Sequence, residues 1–199
     1  MKTVLLLVAT LGLLAGCASP RSQRFRGETV LVDFWRDAPP GSAHGMARAG
    51  DIMNILVAGM LGTGLYRMNV EVHPDVLPKT PREGVLHVVI PKAEFSPNGR
   101  PELARALTRS YIERSQAAQF PPAWKTAVED WVVHKLLLPL PLEPVGVESL
   151  TDESALDDPR LRVRIVDQLG FDGLCHLASQ DALDVASLRR ALGDSFAEH

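Results

Sequence analysis

The chain has 199 residues, of which 46% are hydrophobic and 23% charged, and 21 Lys and Arg stand against 24 Asp and Glu. This length predicts one globular domain with a core, and the net charge of −3 offers no basic excess for binding nucleic acid. Two cysteines are too few for a disulfide framework, so packing has to hold the fold together.

The N-terminus is typical of a secreted precursor. Lys2 is followed by an apolar run over 4–14 and by the small residues Ala15 and Gly16. Such a run, at about 1.5 Å per residue, is too short for the roughly 30 Å hydrocarbon core of a bilayer. We therefore interpret residues 1–16 as a cleaved signal peptide rather than a spanning helix.

The cleavage point Leu14-Ala15-Gly16-Cys17 resembles the lipobox of bacterial lipoproteins. The resemblance implies that Cys17 receives a lipid with acyl chains such as palmitate and becomes the first residue of the mature protein. Ala18, in place of Asp, implies the periplasmic face of the outer membrane. The inner membrane stays the alternative, because this sorting rule varies between bacteria.

The short basic stretch after Cys17 predicts a lipidated tether over 17–27, followed by a single periplasmic domain over 28–199. Arginines in the tether are either solvated or in contact with anionic lipid head groups. In the first half of the domain, the pattern of apolar and β-branched residues predicts a strand over 28–35, a long helix over 43–62 with Ser42 as its cap, and strands over 65–73 and 84–90.

Met46, Met53 and Met60 are spaced seven apart on the long helix and form one stripe. Thioethers can bind Cu(I), but apolar residues share this face, so we interpret the stripe as core. Two helices follow, one beginning at Pro101 and ending at Pro121-Pro122, the next running from Ala123 to before Pro139.

The C-terminal part predicts an extended apolar segment rich in proline over 136–147, then helices over 159–169 and 185–192 stopped by Gly170 and Gly193. Residues 148–199 form a helical C-terminal part. The predicted fold class is α+β: a small mixed sheet of about three to four strands, a long crossover helix and a helical C-terminal half.

The order of elements over 28–138 is similar to that of gluzincins, a class of zinc metallopeptidase. In that family one helix carries H-E-x-x-H: the two histidines bind Zn²⁺ and the glutamate activates a water. Here the corresponding helix reads Pro101-Glu102-Leu103-Ala104-Arg105, and neither proline nor arginine binds zinc. Only Glu102 matches, at the position of the general base.

The next helix begins Pro122-Ala123-Trp124, which resembles the Pro-x-Trp stretch of the family, but Ala127-Val128 stands where a Glu-Gly pair would supply the third ligand. The resemblance therefore implies a zincin-like domain that has lost its metal, with no cofactor and no catalytic residue. E-L-x-x-A-L also occurs in ordinary amphipathic helices. The groove between a sheet edge and this helix is the predicted binding site, with Glu102, Arg105 and Trp124 as candidates.

Other residues that could carry chemistry lack a supporting pattern. Asp130 and His134 are four apart on one helix and could share a metal, but a solvated pair explains them as well. Cys175 and His176 are adjacent, so on a helix they point about 100° apart and form a poor nucleophile and base. The remaining histidines that we considered lie on a loop and two predicted strands: His44, His73 and His87.

These observations predict a non-catalytic envelope lipoprotein, a pseudo-peptidase that binds a protein or glycan partner and is held at the membrane through Cys17. The alternative is an accessory lipoprotein of an envelope transport or assembly complex, favoured by the apolar segment 136–147 as a docking strip. An atypical metallopeptidase with other ligands is the third hypothesis.

Overall fold

The structure is a computed structural model that describes residues 23–34, 38, 41–72, 85–90, 99–138 and 140–197. The predicted signal peptide, the lipobox with Cys17, and His73 lie outside the described residues. Within the described ranges, the helices lack the combination of length and apolar character that crossing a membrane requires.

Four strands form one mixed sheet in the order β1-β2-β3-β4: β1 (Gln23–Arg26), β2 (Val30–Phe34), β3 (Arg67–Val72) and β4 (Val85–Ile90). β1 pairs antiparallel with β2, whereas β2, β3 and β4 are parallel. Alternate residues of the parallel strands point into the core, as a sheet covered by helices requires: Val30, Val32, Phe34, Met68, Val70, Val72, Val88 and Ile90.

β1 corrects the predicted domain boundary, because the tether was expected to extend to residue 27. Arg24 pairs with Asp33 through two hydrogen bonds of 2.6 Å, from Nε and Nη2 to the two carboxylate oxygens. Phe25 stacks on His44 with ring centroids 4.3 Å apart. An edge strand with exposed polar side chains has the composition of a linker, which is why sequence alone misread it.

The long crossover helix α1 (Ser42–Met60) joins β2 to β3 and packs on β1 and β2. Its N-cap is Gly41, with a left-handed φ of 83° and no side-chain capping bond, so Ser42 is the first helical residue and not the cap. Met46 and Met53 are buried and Met60 packs partly buried against the core, which confirms the interpretation of the methionine stripe.

The remaining helices stack outward from the sheet: α2 (Arg100–Ile112), α3 (Pro122–Leu137), α4 (Pro159–Ser179) and α5 (Val185–Ala197). α2 packs on α1 and β4, α3 on α2, α4 on α3, and α5 on α4. Gly170 breaks α4 with φ 70° and ψ 170°, but the helix resumes after it, and α5 continues through Gly193. The predicted end at Gly170 is therefore confirmed as a break, after which a further helical segment runs to Ser179, whereas the predicted end at Gly193 is wrong.

The predicted class is confirmed at its coarse level: the fold is α+β, with a small mixed sheet and a helical C-terminal half. The crossover helix lies where the period of its apolar residues placed it. These layers bring α2 and α3 side by side, with the residues of the predicted binding site on the pair.

Candidate functional site

Glu102 lies in the first turn of α2, where a carboxylate is favoured by the helix dipole. The helix starts at Gly99, whose φ of 58° suits glycine and turns the chain into the helix. The Glu102 side chain is half-buried. The segment 91–98, which precedes this turn, lies outside the described residues, so the predicted groove is described only from the side of α2.

Arg105 stands where the resemblance would place the second histidine ligand, and its guanidinium reaches across to α3. Nη2 donates to Asp130 Oδ1 at 2.8 Å and Nε donates to the same oxygen at 3.2 Å. Both side chains remain partly exposed. The Arg105 guanidinium is thus paired with a carboxylate across the interface between α2 and α3.

Arg109, one turn further along α2, makes a second bond of the same kind with Glu129. Its Nε and Nη2 donate to the two carboxylate oxygens at 3.0 and 2.9 Å, which is the two-pronged geometry that guanidinium and carboxylate favour. The Glu129 side chain is only 9% exposed. We call Arg105, Arg109, Glu129 and Asp130 the polar seam between α2 and α3.

Sequence reasoning missed the polar seam, although its residues have a recognisable pattern. Two arginines four apart lie on one face of α2, and two adjacent acids lie in the middle of α3. The pattern becomes informative only once the two helices are known to be neighbours, because each half alone resembles an ordinary solvated face.

Trp124 belongs to the core and does not line an open groove, since it is 5% exposed. The neighbouring Trp131 also lies inside, where its indole Nε1 donates to Asp167 Oδ1 of α4 at 2.8 Å. Lys135 pairs with the same carboxylate at 2.5 Å. The apolar face of α3 that predicted a helix is thus used to pack α3 between α2 and α4.

The histidine and acid pair on α3 is separated by its partners. Asp130 is bound to Arg105, and His134 Nε2 hydrogen-bonds to the Leu140 carbonyl oxygen at 2.8 Å. His44 is exposed on α1. His87 belongs to β4, and the structure describes its backbone but not its side chain. Among the described residues, His, Cys, Asp and Glu form no group of three that could hold a metal ion.

A cavity of about 740 Å³ lies between the end of α4, the turn before α5 and the 3₁₀ helix Gln116–Gln119. Its size lies within the range of small-molecule sites. The lining offers amides, carboxylates, a hydroxyl and apolar surface, and no lysine or arginine. It therefore suits a hydroxyl-bearing or cationic group better than an anion.

Cys175 also lines this cavity and is half-buried. Burial, and to a smaller extent the charge of Asp172, raises the pKa of its thiol. A thiol with a raised pKa is a weak nucleophile at neutral pH. The adjacent His176 points elsewhere and contacts Gln180 at 3.1 Å between Nε2 atoms, as the helical spacing predicted.

The segment 136–147 is partly docked and partly exposed. Val145 is fully buried and its N–H donates to Gln168 Oε1 at 2.8 Å, while Arg164 binds the backbone of Glu143 at 2.8 Å. Leu138 and Leu140 are instead 54% and 71% exposed. Of the segment predicted for docking, the large apolar side chains that remain exposed are Leu138 and Leu140.

No known protein family, no curated protein and no solved structure matches this chain.

Proposed function

We propose that this protein is a lipid-anchored, non-catalytic binding protein of the bacterial envelope. The observation that carries the proposal is the polar seam. Arg105 holds a positive charge against Asp130 at the place where a zinc peptidase needs an electrically neutral imidazole. A divalent cation there would have to displace a guanidinium that already satisfies the carboxylate.

The relation to gluzincins belongs to the same proposal and stays a prediction. It rests on the sequence pattern that keeps Glu102 at the start of α2, and no solved structure matches the fold. The proposed partner, a protein or a glycan, is supported by the amides and carboxylates around the cavity beside α4, which are groups that bind glycan hydroxyls or a basic peptide.

The absence of catalysis is tested by complementation. A strain lacking the gene is scored for envelope integrity, for example by its sensitivity to detergent, and is then given the gene back as wild type or as Glu102→Gln. We expect Glu102→Gln to restore integrity as well as wild type does, because the proposal assigns no proton transfer to this carboxylate. Stoichiometric zinc in the purified protein, with a hydrolytic activity abolished by Glu102→Gln, would establish an enzyme instead.

The lipid anchor is tested by the mass of the N-terminal peptide after purification from membranes. The two cysteines supply matched variants: Cys175→Ser should keep the added lipid mass, and Cys17→Ser should lose it and remain an unprocessed precursor. A Cys17→Ser protein that is still cleaved after residue 16 would show an ordinary secretory signal and contradict the lipoprotein assignment.

The accessory-subunit hypothesis is favoured by one observation, the exposure of Leu138 and Leu140. Two large apolar side chains in water next to a proline-rich turn are typical of a contact with another protein. Replacing both by Gln should release the protein from a membrane complex in detergent extracts while its own stability is unchanged. Recovery of the wild-type protein free of any complex would contradict this second hypothesis.

A further inference from the structure

The outer face of α1 is apolar, which is unusual for the solvent side of a surface helix. Ile52, Ile55 and Leu56 are 63%, 52% and 47% exposed. They fall at the i, i+3 and i+4 positions of one face. The exposed residues of this face are His44, Gly45, Arg48, Ile52, Ile55, Leu56 and Gly59. We call Ile52, Ile55 and Leu56 the α1 stripe.

Charge is missing along this part of the chain. Between Asp51 and Arg67 the sequence holds no charged residue, and the turn after α1 adds Leu65, which is itself largely exposed. The negative charge of Asp51 does not lie beside the stripe. Its carboxylate points inward and accepts hydrogen bonds from the N–H groups of Thr29 and Val30. Arg48, near the other end of the same face, is the single charged group of the face and it is positive.

We propose that the α1 stripe rests on the surface of the lipid bilayer that holds the acyl chains of Cys17. This inference rests on the proposed lipid anchor. It goes beyond it by assigning the domain a fixed side toward the membrane, with α1 lying in the plane of the lipid head groups.

The short tether favours the bilayer as the surface that contacts the α1 stripe. β1 begins at Gln23, so six residue steps separate the domain from Cys17, which is at most about 20 Å of extended chain. A domain of this size is roughly 40 Å across. The tether is therefore shorter than the domain is wide, and a surface close to β1 has to face the membrane.

α1 is that surface. Phe25 of β1 stacks on His44 of α1, two residues beyond the point at which the tether ends. The stripe begins at Ile52, eight residues further along the helix, or about 12 Å at 1.5 Å per residue. An interfacial helix buries its apolar face about 5–10 Å into the boundary between head groups and acyl chains, and a positive residue beside it suits anionic lipids.

The test uses the acylated protein reconstituted in vesicles of phosphatidylethanolamine and phosphatidylglycerol that carry a spin-labelled quencher lipid. Cys175→Ser removes the free thiol, and Ile55→Cys then supplies the single attachment site for a polarity-sensitive fluorophore. The matched control is Arg190→Cys, an exposed position of α5, in the same background. Ile52→Cys repeats the measurement on the stripe, and circular dichroism confirms that each labelled protein is folded.

We expect a blue shift and loss of emission by the quencher lipid at positions 55 and 52, with neither effect at 190. Equal exposure to water at 55 and 190 in protein shown by mass to be acylated would overturn the inference and leave the anchor intact. Self-quenching at 55 that grows with the protein-to-lipid ratio, without lipid quenching, would assign the stripe to a second copy of the chain and also overturn it. Loss of the acyl mass itself would overturn the proposed anchor and the inference together.

Discussion

The two sides of helix α1 differ in what their exceptional residues do: two polar groups lie among the apolar residues of the inner side, and apolar residues lie on the outer side. On the inner side Asp51 accepts hydrogen bonds from the backbone at the start of β2, and Asn54 bridges the Tyr66 carbonyl and the Tyr111 hydroxyl. On the outer side Ile52 and Ile55, their neighbours in sequence, stand in water. Over the same two turns, two polar groups thus lie on the inner side beside the buried Met53, and two isoleucines lie on the outer side.

The difference separates two tasks within one helix. Inside, each polar group is satisfied by a fixed partner, so it specifies how α1 sits against β2, β3 and α2. Outside, the apolar side chains contribute little to the stability of the domain because they are not buried by it. The inner side therefore serves the fold, and the outer side is available to something beyond it.

The largest effect on the free energy of unfolding is expected at Asn54. Its side chain is fully buried, its Nδ2 donates to the Tyr66 carbonyl at 2.8 Å, and its Oδ1 accepts from the Tyr111 hydroxyl at 2.8 Å. Asn54→Leu should lower the free energy of unfolding by about 3 kcal/mol, because two buried polar groups lose a partner. The measurement is urea unfolding followed by circular dichroism.

Tyr111→Phe is the comparison for Asn54→Leu, since it keeps the ring and removes one of the two Asn54 bonds, together with the bond of 3.2 Å that the Tyr66 N–H donates to the Tyr111 hydroxyl. Burial raises the pKa of Tyr111, so its hydroxyl stays protonated and able to donate across the physiological range. We expect a loss of about 1–2 kcal/mol. Equal stability of the Asn54 variant and wild type would show that the inner polar group specifies nothing.

The next effect is expected at Asp51, and it depends on pH. Burial opposes ionisation of this carboxylate, but hydrogen bonds from the backbone of Thr29, Glu28 and Val30 and from the Thr29 hydroxyl outweigh it, so the pKa of Asp51 is lowered. A lowered pKa in the folded state means that the contribution is present above the unfolded value of about 4. It is lost as the pH falls through the folded value.

Asp51→Asn should therefore cost about 2 kcal/mol at pH 7, and the difference from wild type should shrink as the pH falls below about 4. Denaturant unfolding at a series of pH values measures both. Glu113→Gln, which removes an exposed carboxylate on the turn after α2, is the control. A difference that is constant with pH would contradict the role assigned to the charge.

The two ion pairs of the polar seam differ in burial. The carboxylate of Glu129, which pairs with Arg109, is nearly buried, whereas both side chains of the Arg105–Asp130 pair are partly exposed. Arg109→Met removes two bonds from the nearly buried Glu129 and should cost about 1 kcal/mol or somewhat more. Arg105→Met opens a pair in which both side chains are exposed by a third or more, and should cost about 0.5 kcal/mol. Equal losses in thermal unfolding would show that burial does not separate the two pairs.

The sequence predicted those parts of the fold that depend on local pattern. The run of β-branched residues in β2 and the 3.6-residue period of α1 each identified an element to within a few residues. β1 was missed because its residues resemble a solvated linker, and its strand character depends on pairing with β2. Gly170 was correctly predicted to interrupt the helix that begins at Pro159, whereas α5 continues through Gly193 because its packing on α4 outweighs the weak helix propensity of glycine.

The candidate site was harder to predict because its residues act across elements. The arginines of α2 and the acids of α3 are at least 20 residues apart in sequence, so no spacing links them before the helices are placed side by side. Trp124 fitted a binding motif by its neighbours in sequence but follows the buried face of α3. Local pattern identifies which face of a helix is apolar, and tertiary contact decides what that face meets.

The smallest effect on the free energy of unfolding is expected on the outer side of α1. Ile52→Gln combined with Ile55→Gln should change the free energy of unfolding of the detergent-solubilised protein by no more than about 0.5 kcal/mol, because neither side chain is buried by the domain. Met53→Gln, between them in sequence and 7% exposed, should cost about 2 kcal/mol or more. If the double variant proves as unstable as the Met53 variant, the outer face of α1 is part of the core, and the reason for assigning it to a membrane disappears.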